Sequence, residues 1–255
     1  MYRQPHRICG IQRQTLFHQR PCRRNQPRDL GVYFKERMTL FGEKTILFSV
    51  FDAQDITDND LAFMGSKIPK YRVEKAERYR RRADRINCVT AYFLVGYVLK
   101  KYFSATLPER PVFNKYGKPV LEDPGIDFSV SHCRDAVCGG VTAFGNIGAD
   151  AEMKVLHFED LADHVLSKNE KALYRVHPDP GSFFTEAWTK KEAYLKMLGT
   201  GIRDDLFLID TTAFDAEGAE LYVTTRWYKN VCISTCASKK VIMKAISVAE
   251  LINSF

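Results

Sequence analysis

Residues 188–202 read WTKKEAYLKMLGTGI, and no other stretch restricts the fold as tightly. Nothing from Trp188 to Leu198 breaks a helix, and Gly199 with Gly201 supplies a stop. Trp188, Glu192 and Lys196 fall four apart and share one face, leaving Tyr194, Met197 and Leu198 to pack the helix on a core. Alone, a Glu and a Lys at this spacing are an ordinary solvated pair worth a few tenths of a kcal/mol. Other segments give the pair more meaning. In IGADAEM, residues 147–153, Asp150 and Glu152 are two apart on a predicted strand, so both carboxylates leave the same face, with the small Ala149 and Ala151 as neighbours. Two acids on one face repel unless that face is wet or holds a cation.

No His/Cys ligand spacing accompanies these three carboxylates. A bound metal would therefore be a hard one, Mg²⁺ before Zn²⁺. Such an ion usually completes its shell with water and phosphate, and Ser131, His132, Lys118 and Lys196 offer donors for a phosphate. Acids for the ion and donors for a pyrophosphate are the equipment of phosphoryl-group transfer.

The chain's charge of +7 suggests nucleic acid until it is located. Residues 1–37 hold eight Arg and Lys35 against Asp29 and Glu36, so they carry the whole surplus and the remainder is neutral. A nucleic-acid-binding module working through this extension is one alternative reading, and the neutral remainder argues against it. The extension is rich in Arg, Gln and Pro and is expected to be disordered and dispensable, since Met38 opens a plausible first strand, TILFSVFDA. An Arg-rich, acid-poor start also suits an organellar transit peptide. The seven Cys are odd in number, form no CxxC pair and follow no secretory segment, which points to reduced thiols in the cytoplasm. Cys232 and Cys236 in VCISTCA are expected to be buried and structural. The apolar run 88–99 is too short to cross a bilayer.

From Pro69 the pattern is helical, first basic in VEKAERYRRRADRIN and then apolar in CVTAYFLVGYVLKKYF, predicting one long helix or two abutting ones. Gly117 and Pro119 mark a turn within 111–131. AVCGGVTAF and IGADAEM read as a hairpin across Gly145-Asn146. Ser167 and Glu170 form a capping box, and Ser182 is the expected N-cap of the Trp188 helix. FLIDTTAF, ELYVTTRWY, VCISTCA and VIMKAISV are strand-like. No internal repeat is visible in the residues.

GADAE at 148–152, together with W-T-x-K-E-A-x-x-K at 188–196 and the GTG that follows, resembles the paired signatures of the Sfp-type 4′-phosphopantetheinyl transferases. GKP at 117–119, FSVSH at 128–132 and the basic RVEKAERY at 72–79 resemble further elements of that family in the right order, so the likeness spans about residues 40–237. Ser129, Cys133 and Asn87 stand where the family pattern has Asn, Ser and Arg, and Ala149 and Ala151 replace branched residues.

The resemblance implies an α+β fold of two similar subdomains, 38–145 and 146–255, related by a pseudo-twofold with the active site at their interface. It implies transfer of the 4′-phosphopantetheine arm of coenzyme A to a serine of an apo acyl or peptidyl carrier protein, with Mg²⁺ and release of 3′,5′-ADP. Asp150, Glu152 and Glu192 would hold the metal, and Glu192 would also be the general base. Lys196 would serve the leaving group. Ser131, His132, Lys118, Arg72 and Lys75 would contact coenzyme A, and Lys191 would aid phosphate binding or packing. A monomer is expected, with no nucleic-acid or membrane partner. An inactive carrier-binding paralogue is the other alternative, and the intact carboxylates and Lys196 argue against it.

Overall fold

The computed structural model describes residues 44–110, 112–123, 125–156, 159–201, 205–214 and 221–255. The extension expected over 1–37 lies outside them. In chain order the elements are β1 (Thr45–Val50), α1 (Asp58–Gly65), α2 (Lys70–Glu77), α3 (Arg82–Phe103), β2 (Asp127–His132) and β3 (Val137–Thr142). Then come β4 (Ile147–Met153), α4 (Glu159–Val165), α5 (Lys168–Tyr174), α6 (Pro180–Leu198), β5 (Tyr222–Tyr228) and β6 (Val231–Ala237). β7 (Ile242–Ala245) and α7 (Val248–Asn253) follow.

The same order occurs twice: a strand, two short helices, a long helix and two strands. Pairing repeats as well. β3 lies between β1 and β2 and is antiparallel to both, and β6 lies likewise between β4 and β5. β7 departs from the repeat by adding to the first sheet, parallel to β1. The class is α+β. The repeat is one of topology, which residue-by-residue likeness does not reveal.

Each long helix covers its own sheet. α3 buries nearly every residue from Ile86 to Leu99, and it is separate from α2, so the basic and apolar stretches make two helices. α6 begins at Pro180 rather than after Ser182. Asp179 is the N-cap, accepting from the Ser182 amide at 3.1 Å, and Pro180 occupies the first turn, where no amide is needed. Gly199 ends α6 in the left-handed conformation at φ +66°. The Ser167 capping box forms as read.

Two strand expectations fail for physical reasons. Gly145 turns the chain at φ +73°, but β3 and β4 do not form the expected hairpin. Asp127 Oδ2 takes the Ile147 amide at 2.8 Å and Ser129 Oγ takes that of Ala149 at 3.0 Å, while β6 supplies a full seven-residue ladder to β4. The turn signals a change of direction without naming the partner. FLIDTTAF instead forms 3₁₀ turns at Leu206–Leu208 and Thr211–Ala213. Asp210 accepts from the Thr212 amide and hydroxyl, and Glu170 accepts from those of Thr211, so local side chains displace a ladder.

The contact that sets the second half is between β4 and α6. A Cβ on Gly148 would stand 1.8 Å from the Ala193 carbonyl oxygen and 2.4 Å from the Met197 amide nitrogen. Only glycine admits the helix so close. Behind α6, Lys191 is buried and paired with Glu170 at 2.6 Å, and it also donates to the Val165 and Leu206 carbonyls. Lys191 is thus a packing residue that ties α4, α5 and the 206–213 turns to α6. Cys232 and Cys236 are buried in β6, as expected of structural thiols.

Gly148→Ala is expected to destabilise the protein by about 3 kcal/mol, the upper part of the usual overpacking range, because the opposing atoms are backbone. Urea unfolding measures it, and a loss under about 1 kcal/mol would contradict this seating. Lys191→Met leaves the Glu170 carboxylate buried without its cation and is expected to cost about 3–5 kcal/mol. Should the unfolding midpoint barely move, Lys191 would not be the anchor described.

Candidate active site

Alternation along β4 sends Gly148, Asp150 and Glu152 toward α6, while Ala149 and Ala151 pack in the opposite core. Trp188, Glu192 and Lys196 meet that strand from the helix. Lys196 Nζ reaches across to Asp150 Oδ1 at 2.5 Å and donates to Ser131 Oγ at 3.0 Å. Ser131 Oγ in turn donates to Asp150 Oδ1 at 2.9 Å. Asp150, Lys196 and Ser131 therefore form one hydrogen-bonded cluster from β4, α6 and β2, and Glu152 and Glu192 are near enough to feel the Asp150 charge.

Asp150 is 3% and Glu192 6% exposed, and Asp150 Oδ2 and Glu192 Oε1 are buried without a hydrogen-bond partner. Orphaned carboxylate oxygens are costly and call for an explanation. Burial first, and then the charges of Asp150 and Glu192, push the Glu152 carboxyl up to about 7. Burial and Asp150 raise Glu192 in the same way. Burial opposes the Lys196 charge, but Asp150 more than compensates, so the ammonium is held above its usual range.

The donor set is all oxygen, and it fits a hard divalent cation in kind. Two of its oxygens have no other partner. Among the described residues no group of three His, Cys, Asp or Glu is drawn together as a metal cluster, and Lys196 is the cation on Asp150.

The remaining predicted residues divide. His132 stands at the end of β2, and its imidazole is held below its ordinary value by desolvation and by the positive charges of Lys196, Arg72 and Lys75. Arg72 stacks on Tyr92 with its guanidinium carbon 3.7 Å from the ring centre. Lys118 is committed to Asp127 at 2.5 Å and to the Ile147 carbonyl at 3.1 Å. It also lines a cavity of about 270 Å³ whose walls include Tyr116, Pro119, Glu192, Leu195 and Lys196.

Two further residues hold this region, Asn87, which stands where the family pattern has Arg, and Asn114, which no motif marked. Buried Asn87 accepts from Gln54 and donates to the Cys133 carbonyl, fastening the end of β2 to α3. Asn114 accepts from the Tyr116 and Lys118 amides and donates to the Gly199 carbonyl. The Asn-x-x-Gly spacing at 114–117 is the signal that could have found the second.

Comparison with known proteins agrees with this placement. The family described as ACPS, the 4′-phosphopantetheinyl transferase superfamily, matches residues 146–242, which hold β4, α6 and β6. An L-aminoadipate-semialdehyde dehydrogenase-phosphopantetheinyl transferase of Saccharomyces cerevisiae is 35% identical over 94 residues, 32% of this chain and 35% of the relative. The 4′-phosphopantetheinyl transferase ffp of Bacillus subtilis is 28% identical over 155 residues, 59% of this chain and 66% of the relative. A holo-[acyl-carrier-protein] synthase of Escherichia coli is 41% identical over 59 residues, 23% and 47% of the two chains. The chain thus spans between about a third and two thirds of the length of these relatives. The paired motifs on β4 and α6, which face each other, thus lie in the segment that is similar to the 4′-phosphopantetheinyl transferase superfamily.

Proposed function

We propose that the protein transfers the 4′-phosphopantetheine arm of coenzyme A to a serine hydroxyl of an apo acyl or peptidyl carrier protein, releasing 3′,5′-ADP. The observation that carries this reading is the pair of orphaned buried oxygens on Asp150 and Glu192 beside the Lys196 ammonium. The match to relatives named for the same activity supports it. In the reaction the serine Oγ forms a bond to the phosphorus next to pantetheine, and the bond from that phosphorus to the 3′,5′-ADP oxygen breaks.

Asp150, Glu152 and Glu192 would hold Mg²⁺, which when bound supplies positive charge to pyrophosphate oxygens. Glu192, buried and more basic than an ordinary carboxylate, accepts the serine proton directly or through water. Lys196 neutralises or protonates the departing 3′,5′-ADP from one turn along the same face. Ser131 and His132 meet the phosphates from the end of β2. Arg72 and Lys75 attend the nucleotide end, and Lys118 does so from the cavity wall, its charge already shared with Asp127.

The same reading takes the repeated topology as two subdomains, 38–145 and 146–255, related by a pseudo-twofold with the site between them. It places a monomer in the cytoplasm. Among the described residues no helix is long and apolar enough to cross a membrane.

Incubated with coenzyme A and Mg²⁺, an apo carrier protein is expected to gain the phosphopantetheine mass. If carriers of both fatty-acid and peptide-synthetase type stay unchanged with folded protein, the proposal fails. Glu192→Gln keeps the shape and one oxygen but removes the basicity. It is expected to slow single-turnover transfer by about 10²–10⁴-fold at saturating coenzyme A while weakening coenzyme A binding much less. Lys196→Ala should also slow transfer. A rate for Glu192→Gln within a few-fold of the parent would return Glu192 and Lys196 to a merely structural role.

A further inference from the structure

The loop 113–119 crosses from the first half to the end of α6; Lys118 ties it to the Ile147 carbonyl of β4, and Asn114 ties it to α6. Asn114 Oδ1 accepts from the Tyr116 and Lys118 amides, each at 2.9 Å, and Nδ2 donates to the Gly199 carbonyl at 2.8 Å. Two backbone donors on one side and a carbonyl acceptor on the other leave a single consistent amide orientation. Within the loop, the Asn114 amide donates to the Lys118 carbonyl and the Gly117 amide to the Asn114 carbonyl, at 2.9 and 3.1 Å. The loop is therefore internally stiff, and Gly117 supplies its φ of +87°.

The far end of the contact is equally particular. A Cβ on Gly199 would stand 2.7 Å from Asn114 Nδ2 and 3.2 Å from Lys118 Cδ. The glycine that ends α6 is thus required twice, once for its left-handed backbone and once because the loop lies on it. The 270 Å³ cavity is lined by Tyr116, Lys118 and Pro119 of the loop, by Glu192, Leu195 and Lys196 of α6, and by residues 128–130 of β2.

We propose that Asn114 is a positioning residue, a clasp that joins the 113–119 loop to the C-terminal turn of α6 and so sets the width of the cavity beside Glu192 and Lys196. Glu192 and Lys196 themselves are seated by β4 through Gly148, so the clasp controls how a substrate is held there and leaves the reacting groups in place. The functional part of this proposal rests on the transferase reading, with coenzyme A as the substrate whose fit it governs.

Asn114→Asp separates the two sides of the clasp. It keeps an acceptor for the Tyr116 and Lys118 amides and replaces the bond to Gly199 with an oxygen facing an oxygen. The expected result is a KM for coenzyme A raised by about tenfold with kcat within about threefold of the parent. A fall in kcat at unchanged KM, the pattern of a smaller folded fraction, would overturn the proposal, as would unchanged values of both. Amide hydrogen exchange supplies an arm that needs no turnover. In Asn114→Asp, exchange should quicken at Gly199 and Thr200 as well as in the loop, because one contact holds both. Unchanged protection at Gly199 and Thr200 would refute the clasp even if the parent transferred nothing to any carrier, an outcome that would separately refute the transferase reading.

Discussion

The site depends on a helix lying on a strand with no side chain between them. At Gly148 the backbone of α6 approaches β4 closer than any Cβ allows, and this closeness carries Glu192 and Lys196 to Asp150 and Glu152. On the other face of β4, Ala149 and Ala151 are small enough to let the strand settle into a second core. Side-chain size alternates with function along one short strand. Absence of bulk sets the distance, and the carboxylates use it.

Two buried ion pairs on α6 show how the same chemistry serves scaffold and site. Lys191 and Glu170 are fully enclosed, and each has additional backbone partners that complete its hydrogen bonding. Such a network fixes structure and offers nothing to a ligand. Lys196 and Asp150 are enclosed less completely, and the second Asp150 oxygen remains unmatched. Satisfied charge builds the framework here, and unsatisfied charge marks the place where chemistry is proposed.

How much of this was legible in the residues follows from the range of each interaction. The glycine stop of α6, the Ser167 cap and the buried thiols depend on neighbours in sequence, and they read correctly, whereas the start of α6 falls at Pro180 with Asp179 in place of Ser182 as its cap. The partner of β4 did not, because Gly145 specifies a turn while the choice of sheet is made by Asp127, Ser129 and β6. FLIDTTAF has strand composition, but Asp210 and Glu170 take its amides. Among the candidate site residues, spacing and motif single out Asp150, Glu152, Glu192 and Lys196. That Lys196 would seek Asp150 across the gap, that Lys191 would turn inward, and that Asn114 would bridge the halves all required the fold. The repeat of strand, helices and strands was likewise hidden, since topology is preserved by pattern and pairing without shared residues.

The strand that breaks the repeat has a consequence for how the chain comes together. β7 lies along β1, and just beyond it the Val248 amide is bonded to the Asp52 carboxylate, a partner 196 residues earlier. During synthesis the first strands leave the ribosome while their edge partner is still unmade, and the whole second half is translated before that partner emerges. Until then the outer edge of β1 presents unpaired backbone groups to whatever else is nearby. The order of translation thus makes the first half to emerge the last to be completed, and closing so long a loop favours slow, late docking of the chain's final strand.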